Sequence, residues 1–274
     1  MSTETGRTSR LTTNVVLFVG AALTSLPFFW MIFSSVKPRS ESVAYPPSLL
    51  PKQPTLENFG ELFTELNFSR YLLNTIIVVA IGFVGMLLMA MAGYAFAKFR
   101  FRGREPMFLL VLATMMIPAQ VTMIPTYLIL NSMGLTNTLV GIALPTLVSA
   151  FSIFLFRQFM TTIPDEMLEA ARIDGASEVR IFVSIVVPVS KPIFAVQTVL
   201  TFIAGWNSFL WPLVMANEQS KYTLSVGLAL LNQQVSTNPS LQMAGAALMV
   251  VPILIVFIIF QRHIVQGFTL SGLK

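Results

Sequence analysis

The sequence predicts an all-α integral membrane protein with six transmembrane helices, and three observations carry that reading. Hydrophobic residues make up 55% of the 274 and charged residues only 11%, with a mean hydropathy of +0.76. A soluble domain carries about 25% charged residues, so this chain holds less than half the charge that would coat a water-facing surface. Six stretches contain no Asp, Glu, Lys, Arg or His: 15–36, 71–97, 107–130, 138–156, 193–215 and 243–261. Each is at least 19 residues long, and about 20 residues at 1.5 Å rise cross a hydrocarbon core about 30 Å thick. Lipid offers no partner to an open backbone, so these stretches take the form of helices. The roughly ten-residue alternation of a membrane β-barrel is absent.

The first stretch follows Arg7 and Arg10, the flank of a signal peptide. Its apolar run is longer than such a segment needs and runs on into Phe33-Ser34-Ser35-Val36-Lys37 without a clear cleavage site, so it is read as a retained span, with cleavage the alternative. The second carries Gly82, Gly85 and Gly93, where helices can approach closely. Pro118 and Pro125 predict kinks in the third. Residues 131–137 form a short neutral connection, so the third and fourth helices are expected to be antiparallel. The whole chain, 1–274, reads as one transmembrane domain. No repeat or low-complexity segment interrupts it.

Orientation follows from the basic residues. With the N-terminus inside, twelve of the seventeen Lys and Arg fall on cytoplasmic segments, among them Arg100, Arg172 and Lys274. Both termini are therefore expected in the cytoplasm, and the net charge of +5 reads as topology rather than nucleic-acid binding. The Lys98–Arg104 cluster belongs to the same account, as topology and lipid contact.

Composition also excludes chemistry. The chain has no Cys and one His, so thiol catalysis and His-rich metal sites are out of reach, and His263 reads as a residue at a helix end. No nucleophile, base or metal cluster is legible; no catalytic or metal-ligating residue is assigned. No G-x-x-x-x-G-K-[ST] loop is present, so no ATP site is expected in this chain. An ion-coupled secondary transporter is the rival reading. Such proteins place ionisable residues inside the membrane, and these spans have none, although unwound backbone can still bind sodium.

The most informative stretch lies between the fourth and fifth spans, at about 160–191. In Ile163-Pro164-Asp165-Glu166-Met167-Leu168-Glu169-Ala170-Ala171-Arg172-Ile173-Asp174-Gly175-Ala176-Ser177, Pro164 suits a first helical turn and Asp165 and Glu166 suit the positive end of the dipole. Pro164, Met167, Leu168 and Ala171 form one apolar stripe. Gly175 is placed to end the helix in a left-handed conformation. Ser177 caps a second helix, with Phe182, Ile185 and Val186 as its apolar face and Pro188 as its stop. By periodicity alone, two short helices in an L serve a lipid surface or a docked protein equally well. In the fifth span, Trp206, Asn207 and Ser208 put an aromatic ring beside an amide and a hydroxyl. That suits a sugar and suits interhelical hydrogen bonding as well; Gln120 and Asn74 carry the same two readings.

The run Glu169-Ala170-Ala171-x-x-Asp174-Gly175-Ala176, followed by Ile185-Val186-Val187-Pro188 and Pro192, resembles the EAA loop of ATP-binding-cassette (ABC) importer permeases. Trp206-Asn207-Ser208-Phe209-Leu210-Trp211-Pro212-Leu213 and the tail Gln261–Gly272 are similar to the sugar-uptake members of that group. From first helix to end, the chain resembles the smaller six-helix permease of the maltose-type, carbohydrate-uptake family. The resemblance implies the type I ABC importer permease fold in the plasma (inner) membrane of a bacterium. It implies a second, different permease, a dimer of ATPase subunits holding ATP and Mg, and an extracytoplasmic binding protein facing residues 216–242. It further implies that Glu169, Ala170, Ala171, Asp174, Gly175 and Ala176 sit in a cleft of the ATPase, with the tail reaching between the two ATPase subunits and Trp206, Asn207 and Ser208 as candidates for the substrate path.

Overall fold

The structure, a computed structural model, describes residues 4–234 and 238–271, with side chains for 12–231 and 238–262. Most of the described residues are helical, with no strand among them. Four helices are long and apolar enough to cross a membrane: Thr12–Ser35, Phe68–Lys98, Leu139–Met160 and Pro239–Arg262. Two further helix pairs, Arg104–Thr114 with Ala119–Ser132 and Glu178–Val189 with Lys191–Trp206, are together long and apolar enough but sharply bent, and bring the number to six if each pair is one span. In chain order the elements used below are α1 (Glu4–Ser35), α2 (Glu57–Thr64), α3 (Phe68–Lys98), α4 (Arg104–Thr114), α5 (Ala119–Ser132), α6 (Leu139–Ala143), α7 (Ala150–Met160), α8 (Asp165–Ile173), α9 (Glu178–Val189), α10 (Lys191–Trp206), α11 (Leu210–Met215), α12 (Leu224–Gln234) and α13 (Pro239–Ser271).

The chain divides into two compact units, one holding residues up to Asn67 with Leu228–Leu248, the other Phe68–Gly227 with the chain from Met249 onward. In the first, the loop after α1 is knitted by polar groups. Asn58, almost fully buried, donates to the carbonyls of Ser35 at 2.9 Å and Lys37 at 2.8 Å. The Lys37 ammonium sits over the Trp30 ring, 4.9 Å from its centre. Glu41 accepts from the Ser48 hydroxyl at 2.6 Å and from the Lys52 amide; that hydroxyl bond above all holds its carboxyl below the usual range.

In the second unit α3 is the central element. Val78, Val79, Met86, Met89, Ala90 and Tyr94 are buried along it. A Cβ on Gly93 would lie 2.5 Å from Phe156 Cβ, and one on Gly85 only 2.6 Å from Leu147 Cα. No side chain fits there, so these glycines set the separation between α3 and the segment running through α7. That segment is itself irregular. Pro145 imposes a 3₁₀ turn over Leu144–Leu147, and Ser149 then caps α7 by accepting from the Ser152 amide.

Two expected spans change form. The third, expected as one kinked helix over 107–130, is broken into α4 and α5 with a bend of 100°. Pro118 offers no N–H and pushes Ile117 out of helical geometry. The preceding amides turn back in tight three-residue bonds, Met115 to Leu112, Met116 to Ala113 and Ile117 to Thr114. Pro125, by contrast, is tolerated inside α5. The fifth, expected over 193–215, ends at Trp206 and resumes as α11. The ring of Pro212 would clash with the Ser208 carbonyl in a continuous helix, which accounts for the gap at 207–209.

Candidate functional site

The segment between α7 and α10 is built from its ends inward. Lys98, closing α3, donates to the Ile163 carbonyl and pairs with Asp165 Oδ1 at 2.6 Å. The lysine side chain is 5% exposed and the aspartate 66%, so this is a buried cation reaching out to a solvated anion. That hydrogen bond, with the nearby charge, holds the Asp165 carboxyl below its usual range. Pro164 stands one residue before α8, with φ −60° and ψ 133°, rather than inside its first turn.

Leu168 anchors α8. It is 1% exposed and packs in one apolar cluster with Tyr94, Phe156, Met160, Ile181, Phe182 and Val186. Ala171 is half-buried against the same cluster. Pro164 and Met167 are exposed, so the four-residue stripe divides: Leu168 and Ala171 face in, the other two face out. The helix ends in a two-bond closure. Gly175 N–H donates to the Arg172 carbonyl and Ala176 N–H to the Ala171 carbonyl, each at 3.0 Å. This closure places Gly175 at φ +80°, where a side chain would crowd the backbone. The Ser177 hydroxyl then accepts from the Arg180 amide and caps α9.

A polar clamp spans this elbow. Arg172 donates to both Glu178 oxygens, at 2.6 and 3.3 Å, and the hydroxyl of Tyr94 on α3 donates to the same carboxylate at 3.4 Å. The hydrogen bond to Glu178, with the carboxylate's charge, holds the Arg172 guanidinium above its ordinary range. Beyond the clamp, α9 continues past the position where Pro188 was expected to stop it. A π-helical turn over Phe182–Val186 widens the backbone enough to admit the ring, and the helix ends at Val189. Ser190, fully buried, is the single residue between α9 and α10, which meet at 83°.

Glu169, Ala170, Asp174 and Gly175 are exposed, and Ala171 and Ala176 are half-buried. The outward side also carries Ile173 at 86% exposure and Val179 at 70%. An apolar, partly acidic edge is thus presented on an element whose other side is locked into the core. Sequence reading found this elbow but missed the clamp. Arg172 and Glu178 are six residues apart across a glycine, a spacing no helical rule flags, and Tyr94 and Lys98 lie more than sixty residues from their partners.

The three residues around 206 do not converge. Trp206 is 4% exposed; its ring stacks on Phe202 at 5.1 Å and its N–H donates to the Met249 carbonyl at 3.0 Å. Asn207 is exposed where α10 ends. Ser208 alone lines a cavity, together with residues of α5 and α11. Residues 272–274 and the side chain of His263 lie outside the described residues, as do the side chains of the tail from there on.

Comparison with known proteins bears on this arrangement. The family described as "Binding-protein-dependent transport system inner membrane component" matches residues 89–270, a stretch that includes the whole elbow. The arabinooligosaccharides transport system permease protein of Halalkalibacterium halodurans is 36% identical over 258 residues, covering 93% of this chain and 92% of the relative. The sn-glycerol-3-phosphate transport system permease protein of Brucella abortus is 33% identical, covering 94% and 95%. A chain in the crystal structure of a bacterial ABC transporter that imports the acidic polysaccharide alginate superposes with a TM-score of 0.80 at 25% identity, covering 96% of this chain and 98% of that one.

Proposed function

The chain belongs to the family of binding-protein-dependent transport system inner membrane components, and from that premise we propose that it is the permease subunit of an ATP-driven carbohydrate importer. The observation that carries the proposal is the elbow. An exposed edge at Glu169, Asp174 and Gly175 lies on an element anchored by Leu168 and clamped to α3 through Tyr94 and Lys98. A force applied at that edge reaches the membrane helices without passing through a flexible loop. The occupant of the edge, in this reading, is an ATPase subunit that carries ATP and Mg, because this chain holds no phosphate loop of its own. Both termini and the elbow then lie on the cytoplasmic side of a bacterial plasma membrane, where the Lys and Arg bias puts them. A second permease covers the exposed apolar flanks, and a substrate-binding protein delivers the sugar from outside. The names of the two relatives support a solute of sugar or glycerophosphate type.

Reconstitution tests this directly. Liposomes carrying this chain with its partner permease and ATPase should take up the solute only with ATP on the ATPase side and loaded binding protein on the other. Uptake driven by a proton or sodium gradient without ATP would replace this reading with ion-coupled transport.

A further inference from the structure

The two irregular gaps in the spans face the same space. Just after the Pro118 break, Gln120 and Thr126 of α5 line a cavity of about 400 Å³, and Ser208 and Trp211 from the second gap line it too. The side chains on the other side of α5, Val121 at 66% and Ile124 at 67% exposure, are purely apolar. The Gln120 side chain makes no hydrogen bond among the described residues, although it lies in a charge-free span. Trp211 donates its N–H to the Ile142 carbonyl at 3.1 Å, which holds the ring in place as part of the wall. Behind Thr146, which both spaces share, a second cavity of about 360 Å³ is backed by Gln197. That side chain is fully buried. Its Oε1 accepts from the Ser152 hydroxyl at 3.1 Å, while its Nε2 has no partner. Whichever way the amide is turned, one of its polar atoms is left unpaired.

No charged residue lines either cavity. An anion there would leave water and meet no counter-charge, which is costly in a space walled by apolar groups. A neutral polyol meets what it needs: amide and hydroxyl groups for its hydroxyls, and an aromatic ring for its apolar face. Broken helices also free backbone groups where a solute passes. We propose that this chain contributes a binding site for an uncharged sugar at its two helix breaks, with Gln120, Ser208 and Trp211 in contact and Gln197 behind them, and that the site discriminates against anionic solutes. The proposal rests on the import reading above.

The test uses the full complex in liposomes. Neutral probes are arabinotriose, lactose and maltotriose; anionic probes are sn-glycerol 3-phosphate and an alginate trisaccharide. ATP hydrolysis stimulated by loaded binding protein is measured alongside uptake. The wild type should carry a neutral probe. Gln120→Ala should lower that uptake by roughly five-fold, the scale of one lost hydrogen bond, and Gln120→Glu by more. Uptake of an anionic probe in preference to the neutral ones overturns the selectivity while leaving the import reading intact. Wild-type uptake by Gln120→Ala and Ser208→Ala together removes the cavity from the path. ATP-independent uptake, or no stimulated hydrolysis with any probe, strikes the underlying import reading and takes this proposal with it.

Discussion

Two sharp bends between consecutive helices, 100° between α4 and α5 and 83° between α9 and α10, are treated in opposite ways. Between α9 and α10 the hinge residue is the buried Ser190. The turn before it, Phe182–Val186, is packed against α3 and α7 through the cluster that holds Leu168. Between α4 and α5 the chain at Met116 is 85% exposed and at Ile117 53%, and the space beside it is a cavity. Pro118 stands at the α4–α5 bend, and Pro192 opens the first turn of α10 just after the α9–α10 bend. What differs is what fills the space so created. A bend backed by close-packed side chains has one angle and transmits displacement, because packed interiors are stiff. A bend backed by a polar cavity leaves amides and hydroxyls facing open space. The first suits a lever and the second a place for a solute.

Mutation can break or sharpen this contrast. The largest effect is expected at the packed bend. Leu168→Ala removes a fully buried side chain from a tight cluster and should cost about 2–5 kcal/mol, whereas Met116→Ala at the open bend should fall within about 0.5 kcal/mol. Thermal unfolding of the detergent-purified complex checks both, and stimulated ATP hydrolysis should be lost only in the first. Equal destabilisation by the two would erase the distinction.

An intermediate effect is expected at Gly175. A Cβ there would meet no atom within 4 Å, so the penalty comes from backbone conformation alone, on the order of 1 kcal/mol for Ala and more for Val. Gly175→Val should reach the membrane in near-normal amount yet transport poorly, because the spans do not depend on this turn. Gly175→Asn, which tolerates the left-handed region, should retain more activity. Normal transport by the Val variant would show that the elbow's shape is irrelevant to coupling.

The smallest effect is expected at the Lys98–Asp165 pair. Asp165 has a lowered folded-state pKa, so its contribution is present above the ordinary value of 3.8 and is lost as pH falls through the lower folded value. The carboxylate is mostly solvated, so the amount should stay below about 1 kcal/mol. Asp165→Asn should lower the unfolding midpoint slightly at pH 7, and the difference from wild type should shrink at strongly acidic pH. A difference that instead grew on acidification would mean that the pair does not stabilise the fold.

The sequence made some of this legible and hid the rest for physical reasons. Charge-free runs of span length identify where helices cross, because lipid tolerates little else. The elbow was legible because its signals are local: Gly175 appears at φ +80° and Ser177 caps, as their positions in the sequence suggest. Prolines were legible as residues and not as angles. Pro118 produces a break where a kink was expected, Pro125 bends no further than a helix allows, and Pro188 is absorbed by a π turn. Each outcome depends on neighbours far away in sequence. The Arg172–Glu178–Tyr94 clamp and the unpaired amide of Gln197 are products of tertiary packing, and no periodicity announces them.

The Trp211 indole, pinned by its N–H to the Ile142 carbonyl at the cavity wall, gives the protein an optical reporter of its own. The chain has three tryptophans and no cysteine, and the other two indoles occupy different surroundings, Trp30 beneath an ammonium and Trp206 against a phenyl ring. With those two replaced by phenylalanine, emission comes from one ring whose orientation is set by a backbone bond. Its colour then follows the wetness of the cavity, so filling and emptying of that space can be watched in real time without a chemical label.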